Sequence, residues 1–138
     1  MQRRKLKNSG FTLAELLLAC GILAFTLTGI LALFINCSLL NEANRNLATA
    51  LGHASYVIEE IRGAGFTGLE ERINDGDWNL NAQQIQSVYN LIPLSNEAIS
   101  TSVTQSGNPL GVSVRVDWRD RGQRPRDVIL NTLITDYP

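Results

Sequence analysis

The first third of the chain is patterned as a membrane helix that turns amphipathic without a break. Residues 11–35 form a run of 25 in which Glu15 is the only charge. At 1.5 Å per residue such a helix is about 37 Å long, enough to cross a hydrocarbon core of roughly 30 Å. Thr12, Thr26 and Thr28 can bond back to their own helix, and Gly21 and Gly29 permit close approach of another helix. Beyond residue 35 the apolar positions thin to one stripe. Leu40, Ala43, Leu47, Ala50, Ala54, Val57 and Ile61 recur at spacings of three and four, with Asn41, Asn44, Arg45, Asn46, Glu59 and Glu60 between them. That spacing predicts an amphipathic helix. Gly63 and Gly65 supply its stop. One helix over residues 11–62 would be about 78 Å long.

The rest of the chain is shorter and more broken. Gly63, Gly65, Gly68 and the run Asn74-Asp75-Gly76-Asp77 are turn material. Residues 81–92, ahead of Pro93, fit either a short helix or a strand. In residues 112–118, Val112, Val114, Val116 and Trp118 alternate with Ser113, Arg115 and Asp117, which predicts a half-buried strand. Residues 99–105 precede it across Ser106-Gly107-Asn108-Pro109, and residues 127–135 follow it after a loop with Gly122 and Pro125. Three strands so closely spaced predict an antiparallel meander whose apolar face the helix stripe covers. The predicted class is α+β, a long N-terminal helix packed on a small antiparallel sheet. Its parts are a basic leader (residues 1–10), a transmembrane half-helix (11–35), an amphipathic half-helix (36–62) and a small globular region (63–138). About 76 residues are few for an independent core, so that region is expected to borrow the helix face.

Charge adds a direction. The whole chain carries a formal charge of −1, but Arg3, Arg4, Lys5 and Lys7 lie in the first ten residues with no acid among them. The remainder has eight arginines, no lysine and thirteen acids, a net charge of −5. Such a body is no match for nucleic acid or an anionic membrane surface. The basic cluster reads instead as a topology signal that keeps the N-terminus cytoplasmic. Cys20 and Cys37, seventeen residues apart on one helix, would be roughly 25 Å apart. A disulfide needs Cα atoms within about 7 Å, so they are expected as small hydrophobes, with Cys37 near enough to the outer interface to pair between chains.

Glu15 is the residue that asks for an explanation. A carboxylate at the centre of a membrane helix costs roughly 2.5–3.5 kcal/mol on insertion scales. A secretory signal would have an apolar core of roughly 7–15 residues closed by a small-residue cleavage site, and this run is longer. Leu17-Leu18-Ala19-Cys20 is lipobox-like, yet fifteen uncharged, mostly apolar residues follow Cys20 where a lipoprotein has a polar tether. The stretch Lys7-Asn8-Ser9-Gly10-Phe11-Thr12-Leu13-Ala14-Glu15-Leu16-Leu17 resembles the signal of type IV pilins and type II secretion pseudopilins. The resemblance implies cleavage between Gly10 and Phe11 by a prepilin peptidase and methylation of the new Phe11 amine. It implies that Glu15 pairs with a neighbouring subunit's N-terminus and sets axial register. Thr12, three residues before Glu15, can hold that carboxylate through a local hydrogen bond. The resemblance also implies other pilin or pseudopilin subunits and an inner-membrane assembly platform as partners, and a globular region that is periplasmic or in an extracellular filament. The C-terminal strands resemble those of minor pilins and small pseudopilins. Major pilins usually have a C-terminal cysteine pair and often a mid-anchor proline, and both are missing here, which points to a minor subunit.

Other residues are weaker candidates. Asp75, Asp77 and Asn79 place oxygens at i, i+2 and i+4. An EF-hand loop would need glycine at its sixth position and glutamate at its twelfth, where Leu80 and Gln86 stand. A polar turn is expected and no metal. Arg115, Arg119, Arg121, Arg124 and Arg126 hold five of the eight arginines after residue 10, but Asp117, Asp120 and Asp127 offset three of them, so a solvated hairpin is expected over a nucleic-acid surface. His53 has no second histidine or cysteine near it. Without a nucleophile constellation or phosphate loop, neither an enzyme nor a cofactor is expected. The expected function is that of a structural subunit of a pilus or pseudopilus, assembled through its N-terminal helix. The alternative is a single-span or lipoprotein-like protein that never polymerises.

Overall fold

The computed structural model describes residues 11–136. The basic leader and Gly10 lie outside the described residues. The elements are α1 (Leu13–Gly63), α2 (Leu69–Asp75), β1 (Leu80–Asn81), α3 (Ala82–Tyr89), β2 (Ala98–Gln105), β3 (Leu110–Asp120) and β4 (Arg124–Ile134). The chain divides into two compact units between Asn41 and Glu42. The first contains the apolar part of α1, and the second contains the rest of α1 with everything that follows.

In the second unit α1 meets an antiparallel sheet of order β1-β2-β3-β4. The architecture is α+β, as the sequence predicted. The α1 stripe is covered only from Ala50 onward: Ala50, Ala54, Val57 and Ile61 are fully buried, joined by His53 and Ile58. Leu40 and Leu47 belong to the predicted stripe, yet they stay 64 % and 41 % exposed. Opposite the buried residues stand Ile99 of β2 and Leu110, Val112, Val114, Val116 and Trp118 of β3, all buried. Alternation along a pleated strand puts these β3 side chains on one face. Fully burying each such aliphatic side chain is worth about 1.5–3 kcal/mol, so β3, one of the two inner strands, carries the largest share of the sheet's core.

The segment between α1 and β2, left open between helix and strand by the sequence, resolves into two short helices and a two-residue strand. Glycines in the left-handed region bracket α2, Gly68 (φ 72°) before it and Gly76 (φ 82°) after it. Leu69 and Ile73 turn inward from α2. Residues 81–92 start as a helix because Asn81 and Gln84 form a capping box. Asn81 Oδ1 accepts from the Gln84 N–H at 3.0 Å, and Gln84 Oε1 accepts from the Asn81 N–H at 2.9 Å. The helix stops at Asn90 (φ 54°), three residues before Pro93. β1 is short but paired, Leu80 with Ile99 and Asn81 with Ala98, so the meander has a fourth strand that its length hid.

β2 and β3 pair with one irregularity, a register shift between Val103 and Gln105 opposite Gly111. A Cβ on Gly111 would lie 2.6 Å from Thr104 Oγ1 and 3.0 Å from the Gln105 backbone nitrogen. Only glycine fits against that bulge. β3 and β4 pair without a break from Leu110↔Ile134 to Asp120↔Arg124.

Candidate functional site

The N-terminus of α1 is built by the residues the sequence singled out. Thr12 is the N-cap residue. Its Oγ1 accepts from the Glu15 N–H at 3.3 Å. Glu15 Oε2 accepts from both the Thr12 N–H and the Thr12 hydroxyl, each at 2.9 Å. This is a capping box closed at both ends, and it fills one oxygen of the carboxylate. A negative side chain in the first helical turn also opposes the positive end of the helix dipole. Glu15 and Thr12 are therefore brought together, as expected. Phe11 precedes them, 89 % exposed.

The helix that follows has no cover of its own. Every residue from 11 to 41 is exposed in the isolated chain. They include Leu16, Leu17, Leu18, Ile22, Phe25 and Phe34, each at least 58 % exposed. Soluble proteins rarely expose contiguous apolar patches above a few hundred Å². A continuous cylinder of such side chains needs lipid or other helices around it. Two of its hydroxyls bond back within the helix: Thr26 Oγ1 donates to the Leu23 carbonyl at 2.9 Å and Thr28 Oγ1 to the Ala24 carbonyl at 2.8 Å. That is the condition a polar group must meet in hydrocarbon. Nothing lies within 4 Å of where a Cβ would stand on Gly21 or Gly29, so both leave space for a neighbour. The described residues thus contain one helix, α1, long and apolar enough to span a membrane. Cys20 and Cys37 are free thiols exposed on it.

In the second unit, two polar clusters that the sequence did not reveal fix α1 to the sheet. Near the helix entry, Asp120 is a hub. Its Oδ1 accepts from Asn46 Nδ2 and from Trp118 Nε1, both at 3.0 Å, and its Oδ2 accepts from Arg126 Nε at 3.1 Å. The Asn46 hydrogen bond is the largest of the influences that hold the Asp120 carboxyl below the usual carboxylate range. Two turns further along, His53 Nδ1 meets Glu97 Oε1 at 2.7 Å, with side chains 8 % and 0 % exposed. Glu97 Oε2 accepts from the Leu94 N–H at 2.6 Å. His53, which has no partner near it in sequence, has a buried one 44 positions away.

The remaining candidates are dispersed. Asp75 ends α2, Asp77 pairs with Arg72 at 2.8 Å, and Asn79 Oδ1 accepts from the Thr101 N–H at 2.8 Å. The oxygens of Asp77 and Asn79 serve two separate structural contacts. Arg72 also lies 4.6 Å over the Trp78 ring. Of the five hairpin arginines, Arg115 pairs with Asp117 and Asp127, Arg126 with Asp120, and Arg121 with Glu42 at 3.7 Å. A groove of about 720 Å³ runs between α1, the loop around Pro93 and the β3–β4 turn, with Glu42, Arg45, Ile92, Arg119 and Arg121 among its walls. On α3, burial is the largest influence that pushes the Tyr89 hydroxyl well above its ordinary range, with Glu60 beside it adding to the shift. Its ring stacks edge-on to Tyr56 at 4.9 Å.

The site that invites a function is therefore the capped apolar helix rather than a pocket. Comparison with protein-family models, with curated proteins and with solved structures finds no match.

Proposed function

We propose that the chain is a prepilin-like subunit, inserted in the inner membrane with its N-terminus cytoplasmic and assembled into a filament through α1. The observation that carries the reading is a conjunction. Gly10, Phe11, Thr12 and Glu15 stand at the head of an apolar helix whose residues 11–41 have no cover among the described residues. Cleavage after Gly10 by a membrane peptidase removes the basic leader and leaves the helix in place as an assembly element. It also creates the Phe11 ammonium, about one helical turn from Glu15. Among packed helices a carboxylate and an ammonium stabilise each other, whereas either alone is expensive. The Thr12 cap occupies Glu15 Oε2 and leaves Oε1 for the methylated amine of a neighbouring subunit. Glu15 then sets axial register while apolar contacts hold the filament core. The α+β second unit, a helix face laid on a small antiparallel sheet, is compatible with a pilin-like globular region facing outward. The absence of a C-terminal cysteine pair favours a minor subunit.

N-terminal sequencing with intact mass measurement tests the proposal. The mature protein starts at Phe11 and carries one additional methyl group. An intact Met1, or a chain beginning at a lipidated Cys20, overturns it in favour of a single-span protein that does not polymerise.

A further inference from the structure

The groove of about 720 Å³ lies wholly within the second unit. Its α1 wall is Glu42, Arg45, Asn46 and Thr49, at i, i+3, i+4 and i+7, and residues so spaced share one face of a helix. A second wall is the loop of residues 92–95, which is held from two sides. The Arg119 N–H of β3 donates to the Ser95 carbonyl at 2.9 Å. Glu97 accepts the Leu94 N–H and meets His53 of α1 at 2.7 Å. The β3–β4 turn, with Arg121, supplies the third wall. Walls fixed in advance leave little ordering to be imposed on binding.

The walls contain three arginines and two acids, and the acids are already engaged. Asp120 accepts from Asn46, Trp118 and Arg126. Glu42 meets Arg121 only at 3.7 Å, and that arginine side chain is 75 % exposed. Arg45 and Arg119 are exposed and have no carboxylate partner among the described residues. Beside these cations Ile92 is 86 % exposed, followed by the half-buried Pro93 and Leu94. Guanidinium groups next to an apolar rim match a carboxylate that has an apolar neighbour. A nucleic-acid backbone or an anionic lipid surface calls instead for a run of cations, and here Glu42 and Asp120 interrupt it.

We propose that this groove docks a segment of another protein in which one or two carboxylates flank an apolar side chain. The carboxylates pair with Arg45 and Arg121, and the apolar side chain covers Ile92. Arg121 exchanges the distant Glu42 for a closer, charge-assisted partner, so Glu42 competes with the incoming segment. A second copy of this chain is the poorer occupant. With eight arginines and thirteen acids after residue 10, it meets its own like charge on approach. The site lies in the second unit alone and serves whether or not the chain is cut after Gly10.

Lys5 and Lys7 are the only lysines of the sequence, so a lysine placed in the groove is a unique amine there. Arg45→Lys and Arg121→Lys are made one at a time, each with Glu42→Gln, in the full-length protein in its native membrane. A water-soluble carbodiimide condenses the new amine with a carboxylate in contact, and mass spectrometry maps the attachment point. Docking gives amides from both positions to Asp or Glu residues within one segment of one foreign polypeptide. Arg124→Lys, exposed on the same hairpin but outside the groove walls, gives none. A labelled peptide of the mapped sequence is then titrated with the purified full-length protein in neutral detergent, read by fluorescence anisotropy. Its affinity falls about tenfold or more when its acids become Asn or Gln, the scale of a lost hydrogen bond to a charged group. Arg45→Gln combined with Arg121→Gln lowers it as much at an unchanged denaturation midpoint, because both side chains are exposed. No amide above the Arg124→Lys level overturns the proposal. So does attachment to another copy of this chain, to a lipid or to a nucleic-acid phosphate, and so does equal binding of the amide peptide. Glu42→Gln raises the peptide's affinity; a value that stays level or falls overturns it equally.

Discussion

Replacing Glu97 by alanine removes a carboxylate that ties α1 to the loop before β2. Glu97 Oε1 meets His53 of α1, and Oε2 accepts the Leu94 N–H of the loop before β2. Both side chains of the pair are almost wholly inaccessible, so water cannot take over the lost bonds without opening the structure. The substitution strands His53 Nδ1 and the Leu94 N–H, and an unsatisfied buried group costs about 1–3 kcal/mol. Breaking a buried pair by removing one partner costs about 3–5 kcal/mol in measured cases. We expect a loss of about 3–4 kcal/mol, a large share of the roughly 5–15 kcal/mol that separates folded from unfolded domains. Trp78 and Trp118 are both buried in the same unit, so their fluorescence during urea denaturation of the full chain in detergent reports the event. Glu97→Gln keeps one acceptor and is expected to lose about half as much. His53→Leu combined with Glu97→Leu removes both polar partners and recovers part of the loss, because an apolar pair of similar volume needs no bonds. A loss below about 1 kcal/mol for Glu97→Ala, or strict additivity in the double variant, would refute the claim that this pair is a coupled, buried clamp.

Three further outcomes are expected. Asp120→Asn keeps the Asn46 and Trp118 bonds but loses the charge toward Arg126. The Asp120 carboxyl is held below its usual range in the folded state, so its contribution is fully present above an unfolded value of about 3.9 and fades as pH falls through the lower folded value. Denaturation midpoints of parent and variant therefore differ at neutral pH and converge in acid; a gap that widens in acid would reverse the sign. Gly111→Ala forces a Cβ to within 2.6 Å of Thr104 Oγ1 and 3.0 Å of the Gln105 backbone. We expect a loss of about 1–3 kcal/mol by overpacking, read from the same fluorescence curve. Glu15→Ala should leave membrane insertion intact, because the apolar helix remains, while incorporation into filaments falls. Immunoblots of sheared filaments against total membrane protein measure both, and unchanged incorporation would remove the register role.

The sequence by itself determined α1 almost end to end, including its stop at Gly63, because a helix is a local object. Its period, its cap and its glycine breaker all lie within a few residues of the structure they specify. The local contact between Thr12 and Glu15 was legible for the same reason, though not its form as a capping box, and so was the β3 alternation. The Asn81–Gln84 box was equally local, and the capping spacing could have settled residues 81–92 as a helix. What tertiary structure alone decided involves distance along the chain. His53 finds Glu97 across 44 positions and Asn46 finds Asp120 across 74, and no periodicity marks either pairing. The same holds for burial. Leu47 fits the stripe as well as Ala50 does, but one is left exposed and the other fully covered. Helical spacing specifies which residues share a face, and only the reach of the sheet specifies how far along that face the cover extends.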